Sequence, residues 1–481
     1  MVKKHMLLLL ATNRYRYYLT GMVFVALLLG LLATSYLINN QLNLKEQQSA
    51  LQSVVIPLKE RPESLVDLPY HALQKVSMKL LDITIPAIKL PSLLIAGVVG
   101  LGIVFLLRRW LVRPSIAMMT SLVAITNVQF LYLASTGTPA IMLLFWPLCL
   151  FLIGLKLVRF KKSLLWAVAL SILIGLSIYT PLMIYIIAAM VVLAALHPRL
   201  RLLIKSMPRV HLVACIGIIG ILWTPLVFYP QDLLQLAGKP EQAISIGYIR
   251  HSAAEVIKSF IVFWNPTIGP YGIRPIFNIA ALILMLFGAM RLIYDAHSAR
   301  SYGLLILIPI LLAVSFLNPS LLPILFVPCI LLLAIGIEGF LNEWYKLFPF
   351  NPYARVVALV PLCLLLFSII MSNITIFQTT FSYNPATANY YNRDLSLIRP
   401  LLTKYPNAVI ATTDTSRPFY DILKQDFPDT DTSLGYIRDS GRPTIVTTGS
   451  GIVIDKNTIP SYLVTDHYSA REPRFYVFET R

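Results

Sequence analysis

The chain has 481 residues, of which 57% are hydrophobic and only 13% charged, with a mean hydropathy of +0.72. A soluble domain carries roughly 25% charged residues, so charges this sparse cannot cover a water-soluble surface of this size. The net charge of +18 admits nucleic-acid binding in principle, but the basic residues form short clusters beside apolar runs, such as Arg159-Phe160-Lys161-Lys162, and no nucleic-acid partner is expected.

Apolar runs near the ~20-residue length of a bilayer crossing recur along most of the chain. They are Tyr18–Ile38, Leu93–Leu107, Ser115–Tyr132, Ala140–Leu157, Leu164–Tyr179, Leu182–Ala195, Leu212–Phe228, Phe277–Met290, Tyr302–Phe316, Leu321–Phe340 and Val356–Ile376. The expectation is a polytopic, mainly α bundle of about eleven spans. Basic residues precede the first run and no A-x-A step follows it, so it reads as an uncleaved anchor.

Lys and Arg set the orientation, because loops rich in them stay cytoplasmic. With the N-terminus inside and the spans alternating, the inner segments hold nineteen basic residues against Asp295, Glu338 and Glu343, a net of +16. The outer segments hold 21 basic and 19 acidic residues, a net of +2. The sequence thus places the N-terminus in the cytoplasm and the C-terminus beyond a cytoplasmic (inner) membrane.

Two outer loops stand out. The first, 39–91, begins polar; its stretch from Leu68 to Leu90 mixes Leu73, Val76, Leu80 and Ile83 with Lys75, Lys79 and Asp82. That pattern reads as an amphipathic helix on the membrane surface, or as a loop helix packed on the bundle. The second, 230–275, carries Arg250, His251, Lys258, Arg274 and the aromatic-proline stretch around Trp264 and Tyr271, which suit interfacial anchors. Long loops in compact proteins tend to be functional.

Past Ile376 the apolar runs cease. From Ser382 to Arg481 there are 11 basic and 11 acidic residues. Ala408–Thr412, Thr444–Thr447, Tyr462–Thr465 and Phe475–Phe478 read as short strands, and Arg417 to Phe427 as a helix. The expected division is a membrane domain over 1–380 and a small extracytoplasmic α/β domain over 381–481. Cys149, Cys215, Cys329 and Cys363 all lie in apolar spans, without the spacing of a zinc site or disulfide framework; they read as small buried hydrophobes. No phosphate-binding glycine loop, dinucleotide fingerprint or H-E-x-x-H is present.

The layout resembles the GT-C class of membrane glycosyltransferases, the protein O-mannosyltransferases and lipid A aminoarabinose transferases. The resemblance rests on one anchor followed by a long outer loop with a surface helix. It rests also on Pro69-Tyr70-His71-Ala72-Leu73, Leu80-Leu81-Asp82-Ile83 and Lys89-Leu90-Pro91-Ser92 leading into a span that ends Leu107-Arg108-Arg109. The turn Ser135-Thr136-Gly137-Thr138-Pro139 and the late Leu325-Phe326-Val327-Pro328 helix extend it. The Leu-Pro-Ser step is the most specific of these.

The resemblance implies transfer of a sugar from a polyprenyl-phosphate donor to a glycan, lipid or protein acceptor of the cell envelope, at the outer face of the membrane. Membrane lipids are further partners. Such a reaction needs a carboxylate as general base. It also needs cationic partners for the departing phosphate, supplied by Arg, Lys or a divalent metal ion. Glu46 stands at the family's early acidic place, with Lys45 where a second acid is expected; Glu60, Glu63 and Asp67 are further carboxylates. Asp67, just before the Pro-Tyr step, is the second catalytic candidate. Phosphate binding falls to Lys89, Arg250, Lys258 or Arg274, helped by His71 and His251. No metal-ligating set is legible.

This sequence departs from the pattern on both sides: Lys45 replaces an acid, and Asn318-Pro319-Ser320 stands where an arginine is expected. A non-catalytic membrane protein of the same architecture that binds lipid or assists envelope assembly is therefore the alternative reading. A transporter is a weaker one, since the central spans carry few ionisable groups and no inverted repeat.

Overall fold

The computed structural model describes residues 2–479 apart from 56–63, 112, 161–162, 241–244, 263–266, 270–271, 296–297, 349, 385–386, 388–389, 435–440, 448–458 and 467–472. Glu60, Glu63, Trp264 and Tyr271 thus lie outside the described residues. The chain divides into two compact units, one of Met1–Ile38, Leu93–Ser135 and Ala140–Ser382, the other of Asn39–Ser92, Thr136–Pro139 and Tyr383–Arg481.

The first unit is a bundle of apolar helices. Among the described residues seven helices are long and apolar enough to cross a membrane: Tyr18–Ile38, Ile85–Trp110, Pro139–Arg159, Arg209–Val227, Arg300–Leu317, Pro319–Leu347 and Leu359–Ser382. Leu164–Ser177, Met183–Leu196 and Ile279–Tyr294 are apolar but shorter. With one bent pair, these helices account for the eleven apolar runs of the sequence.

The bent pair is Pro114–Thr126 and Val128–Ser135, which meet at 54°. Asn127 makes the break: its backbone is extended, its side-chain oxygen accepts from the Gln129 N–H at 2.9 Å, and its amide donates to the Ile276 carbonyl. A side chain that caps the following helix competes with the i→i−4 ladder, and here it wins. Elsewhere the helices Ile279–Tyr294 and Phe326–Leu347 pack so closely that a Cβ on Gly288 would strike the Leu332 carbonyl, and one on Gly336 that of Leu284.

The second unit joins the first outer loop to the C-terminal region. β1 (Leu42–Asn43) pairs antiparallel with a strand at Tyr391–Asn392. The C-terminal sheet has five strands, Val409–Thr412, Asp431–Leu434, Thr444–Thr447, Tyr462–Val464 and Phe475–Phe478. The first three run parallel with Val409–Thr412 in the middle, and the last two complete the sheet antiparallel beyond Thr444–Thr447. The segment from Arg417 is helical, as its sequence suggested, over Arg417–Asp421 and then as a tighter turn to Gln425. One core holds the unit: Leu42, Met78, Ile83 and Ile88 of the loop pack with Ile398, Leu402, Ile410, Phe419, Ile445 and Phe475. Arg399 reinforces it, donating to the Ile83 carbonyl and to Asp426.

Candidate functional site

The first outer loop builds a buried polar centre. Helix Leu44–Val55 opens with a capping box: the Asn43 side chain accepts from the Glu46 N–H and Glu46 Oε2 accepts from the Asn43 N–H, both at 2.8 Å. The other oxygen, Oε1, accepts from the Gly137 N–H at 2.6 Å and lies 3.4 Å from Lys89 Nζ. Both side chains are fully buried. Lys89 also donates to the Asn39 carbonyl at 2.6 Å. Glu46 and Lys89, the carboxylate and cation named from sequence, therefore meet. They meet as a buried ion pair held by Asn39, Asn43 and Gly137.

Helix Leu68–Leu81 supplies the rest. Its buried face carries Tyr70, His71, Gln74, Ser77 and Met78, while Leu73, Val76 and Leu80 are exposed. Polar side chains dominate the buried face, while the exposed face carries Leu73, Val76 and Leu80 beside Lys79, a pattern suited to a membrane surface. Gln74 is the hub. Its amide N–H groups donate to the carbonyls of Ile88 and Gly137, and its oxygen accepts from Ser49 and Ser53. Gly137 is clamped through both its N–H and its carbonyl, and a Cβ there would come 2.9 Å from the Ile88 carbonyl oxygen.

The Leu-Pro-Ser step has a structural account. Pro91 lies inside helix Ile85–Trp110 and cannot donate to the Ala87 carbonyl; the Ser77 hydroxyl does so instead at 2.7 Å. Ser92 bonds the Tyr70 hydroxyl at 2.8 Å and faces the Thr138 carbonyl.

His71 Nδ1 lies 2.9 Å from Ser53 Oγ. When Ser53 gives its proton to Gln74 or to the Ser49 carbonyl, the imidazole must donate from Nδ1. Burial pushes its pKa down to about 4. Asp67 caps the same helix in a left-handed conformation, φ 55°, and is half-buried. Burial pushes the Tyr70 hydroxyl well up, and the charges of Glu46 and Asp67 add to it.

In the first unit the second outer loop gathers a different group. Glu255 accepts from Arg274 at 2.6 Å and from Lys258 at 3.2 Å. Burial alone raises the Glu255 carboxyl, but Arg274 and Lys258 outweigh it and hold the group below the ordinary carboxylate range. Arg250 and His251 lie exposed on the same helix, Ile246–Ile261. The sequence reading missed Glu255, although a glutamate three residues before Lys258 on a helix is a legible pair. Among the described residues no three His, Cys, Asp or Glu side chains converge, so no ready donor set for a divalent ion is present there.

No protein-family profile and no curated protein matches the sequence. Solved structures do. ArnT from Cupriavidus metallidurans, in the apo state and bound to undecaprenyl phosphate, superposes with a TM-score of 0.50 at 14% identity, over 95% of this chain and 97% of that one. The archaeal oligosaccharyltransferase AglB from Archaeoglobus fulgidus, in complex with an inhibitory peptide and a dolichol-phosphate, gives 0.45 at 13% identity, over 84% and 64%. ArnT is a lipid A aminoarabinose transferase, and on that likeness the chain has the fold of the GT-C membrane glycosyltransferases.

Proposed function

We propose that this integral membrane protein transfers a sugar from a polyprenyl-phosphate donor to a cell-envelope acceptor at the outer face of the cytoplasmic membrane, its N-terminus inside and its C-terminal region outside. The observation that carries the proposal is the fold, matched over 95% of the chain to a protein crystallised with undecaprenyl phosphate. Base catalysis falls to Asp67. Among the described residues of the first loop it is the half-buried carboxylate, on a left-handed residue of the kind that gathers at functional sites. Glu46 is fully engaged by Asn43, Gly137 and Lys89, so its role is to fix the loop and hold Lys89 in place. Arg250, His251, Lys258 and Arg274 are the candidates for the phosphate charge.

The buried Glu46–Lys89 pair, which turns both groups to the protein's own partners, favours a second reading, a lipid-binding protein of the same fold without transferase activity. One assay separates the two. Purified protein in lipid nanodiscs is given labelled polyprenyl-phosphate sugars and envelope acceptors, beside Asp67→Asn. Transfer is expected, reduced about 10²–10⁴-fold by Asp67→Asn. Binding of undecaprenyl phosphate without transfer from any donor would establish the second reading.

A further inference from the structure

The connector between helices Met183–Leu196 and Arg209–Val227 contains an eight-residue helix, Pro198–Lys205. It carries Arg199, Arg201 and Lys205, with Arg209 following, and no Asp or Glu occurs from residue 181 to 231. All four cations are exposed, and among the described residues none has an ion-pair, hydrogen-bond or ring partner. The other basic clusters beside membrane helices differ. Arg113 stacks on Tyr345, Lys156 on Trp166 and Arg159 on Phe160. Arg291 and Lys346 share Glu343, and Arg300 donates to the Trp110 carbonyl.

Arg201 and Lys205 are four residues apart on one helix, which sets their Cβ atoms about 5–6 Å apart on one face, and like charges so placed repel. No Asp or Glu lies near them in sequence, and an anion from outside the protein would offset their charge. A phosphate diester supplies the negative charge that the pair lacks. The aliphatic side chains beside the cations are bare as well: Leu202 is 66% exposed and Val210 77%. A ligand with an anionic head and a hydrocarbon tail satisfies both features, and a nucleic acid or free phosphate satisfies only the first.

We propose that the Pro198–Lys205 helix and Arg209 form a binding site for an anionic glycerophospholipid of the surrounding leaflet. The phosphate sits between Arg201 and Lys205, and the acyl chains lie along Leu202 and Val210. The site is independent of the proposed sugar transfer.

The test uses the full-length protein in detergent, with thermal unfolding and native mass spectrometry as readouts. Phosphatidylglycerol raises the melting temperature and is retained; phosphatidylcholine does neither. Arg201→Gln with Lys205→Gln lowers phosphatidylglycerol affinity roughly 30-fold, from the usual contribution of two surface cations, and Arg201→Lys with Lys205→Arg retains it. Equal retention of the two lipids, an equal shift from inorganic phosphate, or undiminished binding by the double Gln variant overturns the proposal. If the double Gln variant does not fold, the lipid comparison on the unaltered protein still decides.

Discussion

Lys89 Nζ lies 3.4 Å from Glu46 Oε1, with both side chains fully withdrawn from solvent. A buried pair stabilises little relative to a well-packed apolar replacement, yet removing one member strands the other charge and costs roughly 3–5 kcal/mol. Glu46→Gln and Lys89→Met are therefore each expected to lower the unfolding free energy by about that amount. The double variant is expected to lose less than the sum of the two. Denaturant unfolding in detergent over the full cycle measures the coupling, and strictly additive losses would show that the pair does not act as a unit.

His71 makes the second unit sensitive to mild acid. Its folded-state pKa is about 4, below the unfolded value near 6.5. Between these values the unfolded chain binds more protons, so stability rises with pH. The contribution is present above about pH 6.5 and is lost as the pH falls toward 4, a loss of roughly 3 kcal/mol at ~1.4 kcal/mol per pH unit. His71→Gln, which keeps a polar partner for Ser53, is expected to flatten melting temperature against pH over this interval. An unchanged slope would assign the acid sensitivity to other groups.

Much of the fold was legible because membrane helices and short apolar strands leave strong local patterns. All four expected strands, at Ala408–Thr412, Thr444–Thr447, Tyr462–Thr465 and Phe475–Phe478, fall on strands of the sheet. The strand Asp431–Leu434 was not read, because D-T-S-L is a polar edge. The helix Asp394–Lys404 was hidden by Pro400 in its middle. At the candidate site the residue types were readable and their state was not. Asn43-Leu44-Lys45-Glu46 carries the spacing of a capping box, which by itself suggests a structural glutamate. Its burial depends on Lys89 and Gly137, the latter 91 residues away, and no local pattern announces that. Gln74, the hub of the network, gave no signal, since a glutamine in an amphipathic helix reads as solvent-facing.

The close helix pair Ile279–Tyr294 and Phe326–Leu347 gives a packing prediction. Gly288→Ala or Gly336→Ala places a methyl group against a facing backbone carbonyl, which no rotamer change can relieve. Each is expected to cost on the order of 1–3 kcal/mol as overpacking. Gly154→Ala, where nothing lies within 4 Å, is the control. It is expected to be neutral or slightly stabilising, since Ala is the better helix former. Thermal unfolding of the three variants checks both halves.

The last prediction concerns the Leu-Pro-Ser step. Because Pro91 has no N–H, the Ala87 carbonyl depends on the Ser77 hydroxyl. Ser77→Ala leaves that buried acceptor without a partner and is expected to cost roughly 1–3 kcal/mol. Pro91→Ala restores a backbone donor four residues on from Ala87, so in that background the same Ser77→Ala change is expected to cost much less. Pro91→Ala alone is expected to be nearly neutral, since the hydroxyl already fills the place of the missing donor. A Ser77→Ala cost that stays equal in both backgrounds, measured by denaturant unfolding, would mean that Ser77 stabilises the loop by packing and not by replacing the hydrogen bond that proline removes.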